Sequence, residues 1–185
     1  SAFSTQIYCG AATNFDDIQT ELRSCIGDID FNMVSGWGNT HYLSDPSFNS
    51  NLIKDFNLEK FSKEVDIHVG NYISGTGSDL VNTNYNIISS WFALFKRGNY
   101  AHIHNHGECD IAGVYYFKKI NDDGSLFFCS PATVAESSIF KTGRLSTGCS
   151  QGDILLFPGW MDHGVETNKT DDERISVSFN ISFRR

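Results

Sequence analysis

The chain has 185 residues, of which 40% are hydrophobic, 14% aromatic and 19% charged, with 16 Gly and only 3 Pro. Such a composition predicts a single globular domain, 1–185, leaning towards strands and turns. A formal charge of −8 argues against the basic stripe of a nucleic-acid binder, and no run approaches the roughly 18 apolar residues that cross a bilayer.

A cytoplasmic protein with no membrane or nucleic-acid partner is therefore expected. The five cysteines, Cys9, Cys25, Cys109, Cys129 and Cys149, are scattered and form no CxxC pair. Free thiols in a reducing compartment are the plain expectation.

The first 80 residues read as a mixed α/β buttress. In "TNFDDIQTELRSCIG" Phe15, Ile18, Leu22 and Ile26 fall at helical spacing; Thr13 or Asn14 can cap, Asp16 and Asp17 suit the first turn, and Gly27 suits the stop. "NLEKFSKEVDIHVGNYI" sets Leu58, Phe61, Val65, Val69 and Tyr72 along one stripe. His68 near that stripe reads as a packed or surface histidine. Between the helices, "SGWGNTHYLSDPSFNSN" reads as a loop with His41 on the surface.

From residue 84 the period changes. "NIISSWFALFK", "YAHIHNH", "IAGVYYFKKI", "GSLFFCS", "GDILLFPGW" and "RISVSFNISF" are short β-branched or aromatic segments between Gly, Asn, Asp and Ser clusters. They predict a mainly β sandwich or jelly-roll barrel over 84–185, with the N-terminal helices packed on one sheet. Residues 131–150 read as a long loop or an irregular edge hairpin, and Trp91 and Trp160 as core or rim aromatics.

The chemistry concentrates in "YAHIHNHGECDIAG". On an extended strand His102, His104 and His106 project to one face, and two neutral imidazoles held that way make a good chelating element. A third ligand must come from elsewhere, and His163, after the apolar strand of "GDILLFPGWMDHGV", is the natural candidate. Two registers stay open: His104 and His106 with His163, or a literal HxE of His106 and Glu108 with His163.

The spacing is similar to the two motifs of cupin barrels: Gly98, five residues, His104-x-His106, three residues, Asp110; then Gly152, five residues, Pro158 and His163. Trp160 stands where that pattern usually has Gly. The same residues with those that follow, "SWFALFKRGNYAHIHNHGECDIAGVYYF", "GSLFFCSP" and "GDILLFPGWMDHGVETNKTDDERISVSFNI", resemble a family of Fe(II)- and 2-oxoglutarate-dependent oxygenases over residues 90–181. Ala93 and Ala112 replace the Asn and Ser expected of it.

That resemblance implies that His104, His106 and His163 hold Fe(II), an imidazole taking the usual carboxylate position, with Glu108 or Asp110 as a further acid and His102 on the pocket wall. It also implies a double-stranded β-helix fold, with 2-oxoglutarate and O2 as cosubstrates. In "RISVSFNIS" Arg174, Ser176, Ser178 and Asn180 share one face, and Ile175, Val177, Phe179 and Ile181 the other. Arg174, eleven positions after His163, resembles the arginine that grips the far carboxylate of 2-oxoglutarate, and a guanidinium fork with the Ser176 hydroxyl suits that task. Tyr116 and Asn180 are further candidate contacts, although "GVYYF" leaves open whether Tyr115 or Tyr116 faces inwards.

The implied activity is a dioxygenase, most naturally a hydroxylase of a small-molecule or peptidyl substrate. A three-histidine cupin enzyme without a keto acid and a non-catalytic metal- or ligand-binding barrel are the competing readings. Specificity is expected from loops 36–57 and 131–150.

Overall fold

The computed structural model describes residues 5–45, 47, 49–77, 84–131 and 143–183. Strands β1 (Tyr8–Ala11), β2 (Asn32–Met33), β3 (Tyr42–Leu43), β4 (Tyr85–Phe95), β5 (Ala101–His104) and β6 (Ile111–Lys118) are followed by β7 (Leu126–Cys129), β8 (Arg144–Ser146), β9 (Asp153–Pro158), β10 (His163–Val165) and β11 (Arg174–Phe183). Three α-helices intervene among the described residues: α1 (Phe15–Ile26), α2 (Leu52–Asp55) and α3 (Glu59–Thr76). Among the described residues the strands form two antiparallel sheets, ordered β1-β9-β6-β11-β4-β3-β2 and β5-β10-β7-β8, the jelly roll expected from the sequence. No helix among the described residues is long and apolar enough to cross a membrane.

The period-2 pattern of β11 decides how the layers stack. Val177, Phe179 and Ile181 are fully buried against Ile18 and Leu22 of α1 and Phe61 and Val65 of α3, each such side chain contributing about 1.5–3 kcal/mol by leaving water. Their neighbours Arg174, Ser176, Ser178 and Asn180 turn to the space between the sheets. β6 alternates in step: Tyr115 and Phe117 join the helix-side core, and Val114 and Tyr116 the inner one. Gly113 is required here, because a Cβ would stand 2.2 Å from the Phe179 ring.

The helices differ from expectation in detail. On α1 the buried stripe is Ile18, Gln19, Leu22 and Cys25, while Phe15 at the helix start is 37% exposed. Gln19 is buried because its amide donates to the Tyr115 hydroxyl and the Phe117 carbonyl, both at 3.0 Å, so a polar residue sits on the packed face with its donors satisfied. Asn14 makes no side-chain cap to its own helix; its amide donates instead to Glu64 on α3.

The segment between the helices is more ordered than a loop. It makes a 3-10 turn over Ser35–Trp37 and then β3, which pairs with β4. Of the long loop read over 131–150, residues 132–142 lie outside the described residues, and β8 occupies part of the rest.

Candidate metal centre

The small sheet positions two of the histidines. His163 opens β10, opposite His104 of β5 on one side and Phe128 of β7 on the other. His106 stands two residues past β5, where its backbone N–H donates to the Gly159 carbonyl at 2.7 Å. A Cβ on Gly159 would lie 2.3 Å from the Cys109 carbonyl oxygen and 2.7 Å from that of His106. Only glycine lets the turn after β9 approach the turn after β5 this closely.

The imidazoles converge. Ring centroids are 4.3 Å apart for His104 and His163, and 5.2 Å for His106 with either; one nitrogen from each ring lies within 4.8 Å of the other two. The Nδ1 of His104 pairs with the His102 carbonyl at 2.8 Å and that of His163 with the Met161 carbonyl at 2.9 Å. A carbonyl only accepts, so both protons sit on Nδ1 and each Nε2 keeps its lone pair for a ligand. Burial, then the neighbouring His104, lowers His163 to about 3 and His106 to about 4, and burial also lowers His104. All three are neutral at physiological pH, the state that binds a metal.

The acids stand apart from this cluster. Asp110 accepts from the Phe183 N–H at 2.8 Å and the Ser182 hydroxyl at 3.3 Å, at the end of β11. Glu108 is exposed at the rim of the cavity. Of the two registers open in the sequence, the described residues bring together the one made of three imidazoles. Such a set carries no charge, so a divalent ion within it would keep its full attraction for an anion.

His102 departs from expectation. It lies exposed outside the cavity, edge-on to Tyr100 at 5.0 Å between centroids, rather than on the pocket wall. The cause is a register shift: His163 and Val165, two positions apart on β10, pair with His104 and Ala101, three apart on β5. The extra residue breaks the alternation, so Ala101 and His104 both turn inwards. What His102 contributes is its carbonyl, which orients His104.

The three imidazoles open into a cavity of about 390 Å³, within the usual range for ligand sites. Arg174, Ser176, Ser178 and Asn180 line it along β11, with Trp37, His41, Leu43, Trp91 and Phe157 among its other walls. Arg174 is 1% exposed, its guanidinium 5.0 Å from the Phe95 centroid and 5.2 Å from that of Tyr116. Its Nε and Nη1 have no hydrogen-bond partner. A buried cation without partners costs several kcal/mol, and an anion held in the cavity removes that cost. Three neutral imidazoles and an unpartnered guanidinium thus fit a divalent metal together with an anionic ligand.

Tyr116 is the inward tyrosine. It is fully buried and its hydroxyl makes no well-formed hydrogen bond; burial pushes the phenol well up despite the Arg174 charge, so it stays protonated as a donor. Tyr115 is held on the helix side by Gln19. Ser176 is 2% exposed, two residues along β11 from Arg174. Asn180 lines the same cavity but stands about 20 Å along the strand from Arg174, with its amide on Ser89 at 3.1 Å.

Two further residues of the cavity escaped the sequence reading. His41 is 5% exposed rather than on the surface, stacked on Phe95 at 4.8 Å, and burial followed by the nearby His104 lowers it to about 4. Trp37 meets His104 edge-on at 4.5 Å. The tryptophan between two glycines and the histidine four residues on in "GWGNTHY" are the local signal, and periodicity cannot expose it.

Residues 89–180 match the family described as "Putative 2OG-Fe(II) oxygenase". No curated protein matches the chain. Among solved structures, HygX from Streptomyces hygroscopicus with nickel, 2-oxoglutarate and hygromycin B bound is 12% identical at a TM-score of 0.65, covering 96% of this chain and 83% of its own. The 2-oxoglutarate-dependent epimerase SnoN from nogalamycin biosynthesis is 12% identical at 0.64, covering 96% and 77%. A prolyl-4-hydroxylase from Pseudomonas putida is 14% identical at 0.61, covering 98% and 94%. At such identities the likeness carries the fold, while the family match carries the motifs. The chain belongs to the 2OG-Fe(II) oxygenase family, whose members use Fe(II), 2-oxoglutarate and O2.

Proposed function

We propose that the protein is an Fe(II)- and 2-oxoglutarate-dependent dioxygenase that hydroxylates a small-molecule or peptidyl substrate. The observation that carries this reading is the buried Arg174 guanidinium, with two nitrogens unpartnered, facing the cavity that the three imidazoles share. His104, His106 and His163 would hold the metal, with Nε2 of the first and last left free for it by their Nδ1 bonds. When bound, iron with 2-oxoglutarate and O2 supplies the oxidative decarboxylation to succinate and CO2 that is coupled to oxidation of a C–H bond.

The chain's own residues bind and orient. Arg174 offers a planar fork to the far carboxylate of 2-oxoglutarate, strengthened because the guanidinium is buried. The Ser176 hydroxyl adds a donor, and the Tyr116 phenol, kept protonated, another. Phe95 and Leu43 wall this end against water. Asn180, on its Ser89 bond at the other end of the cavity, belongs to the substrate side rather than to the cosubstrate.

The test is succinate formation on reconstitution with ferrous iron, 2-oxoglutarate and air: it should require both additions. Arg174→Ala should weaken 2-oxoglutarate binding about 100-fold, measured calorimetrically, while metal uptake persists. Unchanged 2-oxoglutarate affinity in that variant, or oxygen consumption indifferent to 2-oxoglutarate, would overturn the reading in favour of a three-histidine enzyme that uses no keto acid.

A further inference from the structure

A second place in the fold brings reactive groups together, away from the histidines. Cys9 lies on the edge strand β1 and Cys149 in the turn that leads into β9; 140 residues separate them, yet their sulfurs are 3.2 Å apart. Both are free thiols, Cys9 exposed and Cys149 buried. The remaining contacts hold them there. β1 pairs with β9, Cys9 opposite Leu155 and Ala11 opposite Asp153. The turn is fixed by the Ser150 N–H donating to Asp153 Oδ2 at 2.6 Å and the Gly152 N–H donating to the Tyr116 carbonyl at 2.8 Å.

The pair is polarised. Donation from the Cys9 thiol holds the Cys149 thiol below its ordinary value, and the same contact, followed by burial, pushes Cys9 up. Thiolate character therefore collects on Cys149 and the proton on Cys9. Closing from 3.2 Å to bonding distance takes a movement of about 1 Å. Cys25, by contrast, gives its thiol to the Leu22 carbonyl at 3.2 Å.

We propose that Cys9 and Cys149 form a redox modification site, oxidised by peroxide to an internal disulfide that ties the edge strand β1 to the turn before β9. The Cys149 thiolate attacks one oxygen of hydrogen peroxide; the O–O bond breaks, and the departing hydroxide takes up the proton that Cys149 had released and leaves as water. The Cys9 sulfur then attacks the resulting sulfenic acid, forming the S–S bond, while the S–O bond breaks and the second oxygen leaves as water with the Cys9 proton. The two sulfurs lose two electrons and peroxide gains them. Peroxide is small enough to enter where Cys9 meets solvent.

The test uses the full chain, reduced and then treated with hydrogen peroxide, alkylated and analysed by intact mass and peptide mapping. Expected are a loss of about 2 Da, two fewer alkylated thiols of the five, and a linked peptide joining Cys9 to Cys149. Cys9→Ser and Cys149→Ser should each abolish the link, and Cys129→Ser should keep it. Closing a 140-residue separation should also raise the melting temperature of the oxidised protein by several degrees, a rise absent from Cys9→Ser. Full alkylation of both thiols after peroxide, or arrest of Cys149 at the sulfinic acid, would overturn the proposal. So would one equivalent of zinc retained by the reduced protein and released by Cys9→Ser, which would assign the two sulfurs, with the Asp153 carboxylate beside them, to a metal site.

Discussion

Two buried charges lie on opposite sides of the large sheet and are treated in opposite ways. On the helix side Glu64 is fully buried, and its carboxylate accepts from the Thr13 N–H and hydroxyl, the Asn14 amide and His68 Nε2, whose Nδ1 in turn meets the Tyr8 hydroxyl at 2.8 Å. On the inner side Arg174 is as deeply buried, with two nitrogens left without partners. A satisfied buried charge pins elements to one another, here α3 to β1 and to the start of α1. An unsatisfied one is tolerated where a ligand completes it. Burial alone does not distinguish a structural charge from a binding one; the count of partners does.

The largest effect that would break this contrast is on stability. Glu64→Ala should lower the unfolding free energy by about 3–5 kcal/mol, measured by denaturant titration, and leave 2-oxoglutarate affinity unchanged. Burial pushes the Glu64 carboxyl up, but the Thr13, Asn14 and His68 donors outweigh it and hold the group below its ordinary value of 4.5. Its contribution is thus full above about pH 4.5 and is lost as pH falls through the lower folded value. The acid limb of the stability profile should flatten in the variant; an unchanged limb would show that Glu64 does not fasten the helices.

The converse change is Arg174→Ala. Its expected mark is a fall of about 100-fold in 2-oxoglutarate affinity, about 2.7 kcal/mol, with less stability lost than in Glu64→Ala because two of the guanidinium nitrogens have no partner to orphan. Saturating 2-oxoglutarate should raise the melting temperature of the wild type and not of this variant. Smallest is Ser176→Ala, one hydroxyl at the same end, with about 1 kcal/mol or roughly 5-fold in affinity at stake. An effect of Ser176→Ala equal to that of Arg174→Ala would mean that the guanidinium does not carry the anion.

Much of this architecture was legible because β strands announce themselves by alternation. β11 starts and ends where "RISVSFNISF" does, and the faces of its residues follow parity. Parity was insufficient for the two adjacent tyrosines, because "GVYYF" is apolar on both faces of a strand buried on both sides; the Gln19 amide on α1, 96 residues away, is what marks Tyr115 as the outward one. His41 was misread and Trp37 passed over because short pairings such as that of β3 with β4 depend on contacts across the chain. The buried Gln19 escaped for the same reason: its place on the packed face of α1 is set by acceptors on β6.

The register shift in β5 has a consequence for how this strand tolerates change. Replacing Ile103, which is 49% exposed, alters little that the cavity senses. Deleting it would give Ala101 and His104 the same two-residue spacing as Val165 and His163, a regular pairing that keeps His104 inward, but would bring the His102 carbonyl to the adjacent position and break the bond that orients His104 Nδ1. The bulge therefore serves the tautomer of His104 rather than its direction, and the extra residue of this strand sets which imidazole nitrogen is left to face the cavity.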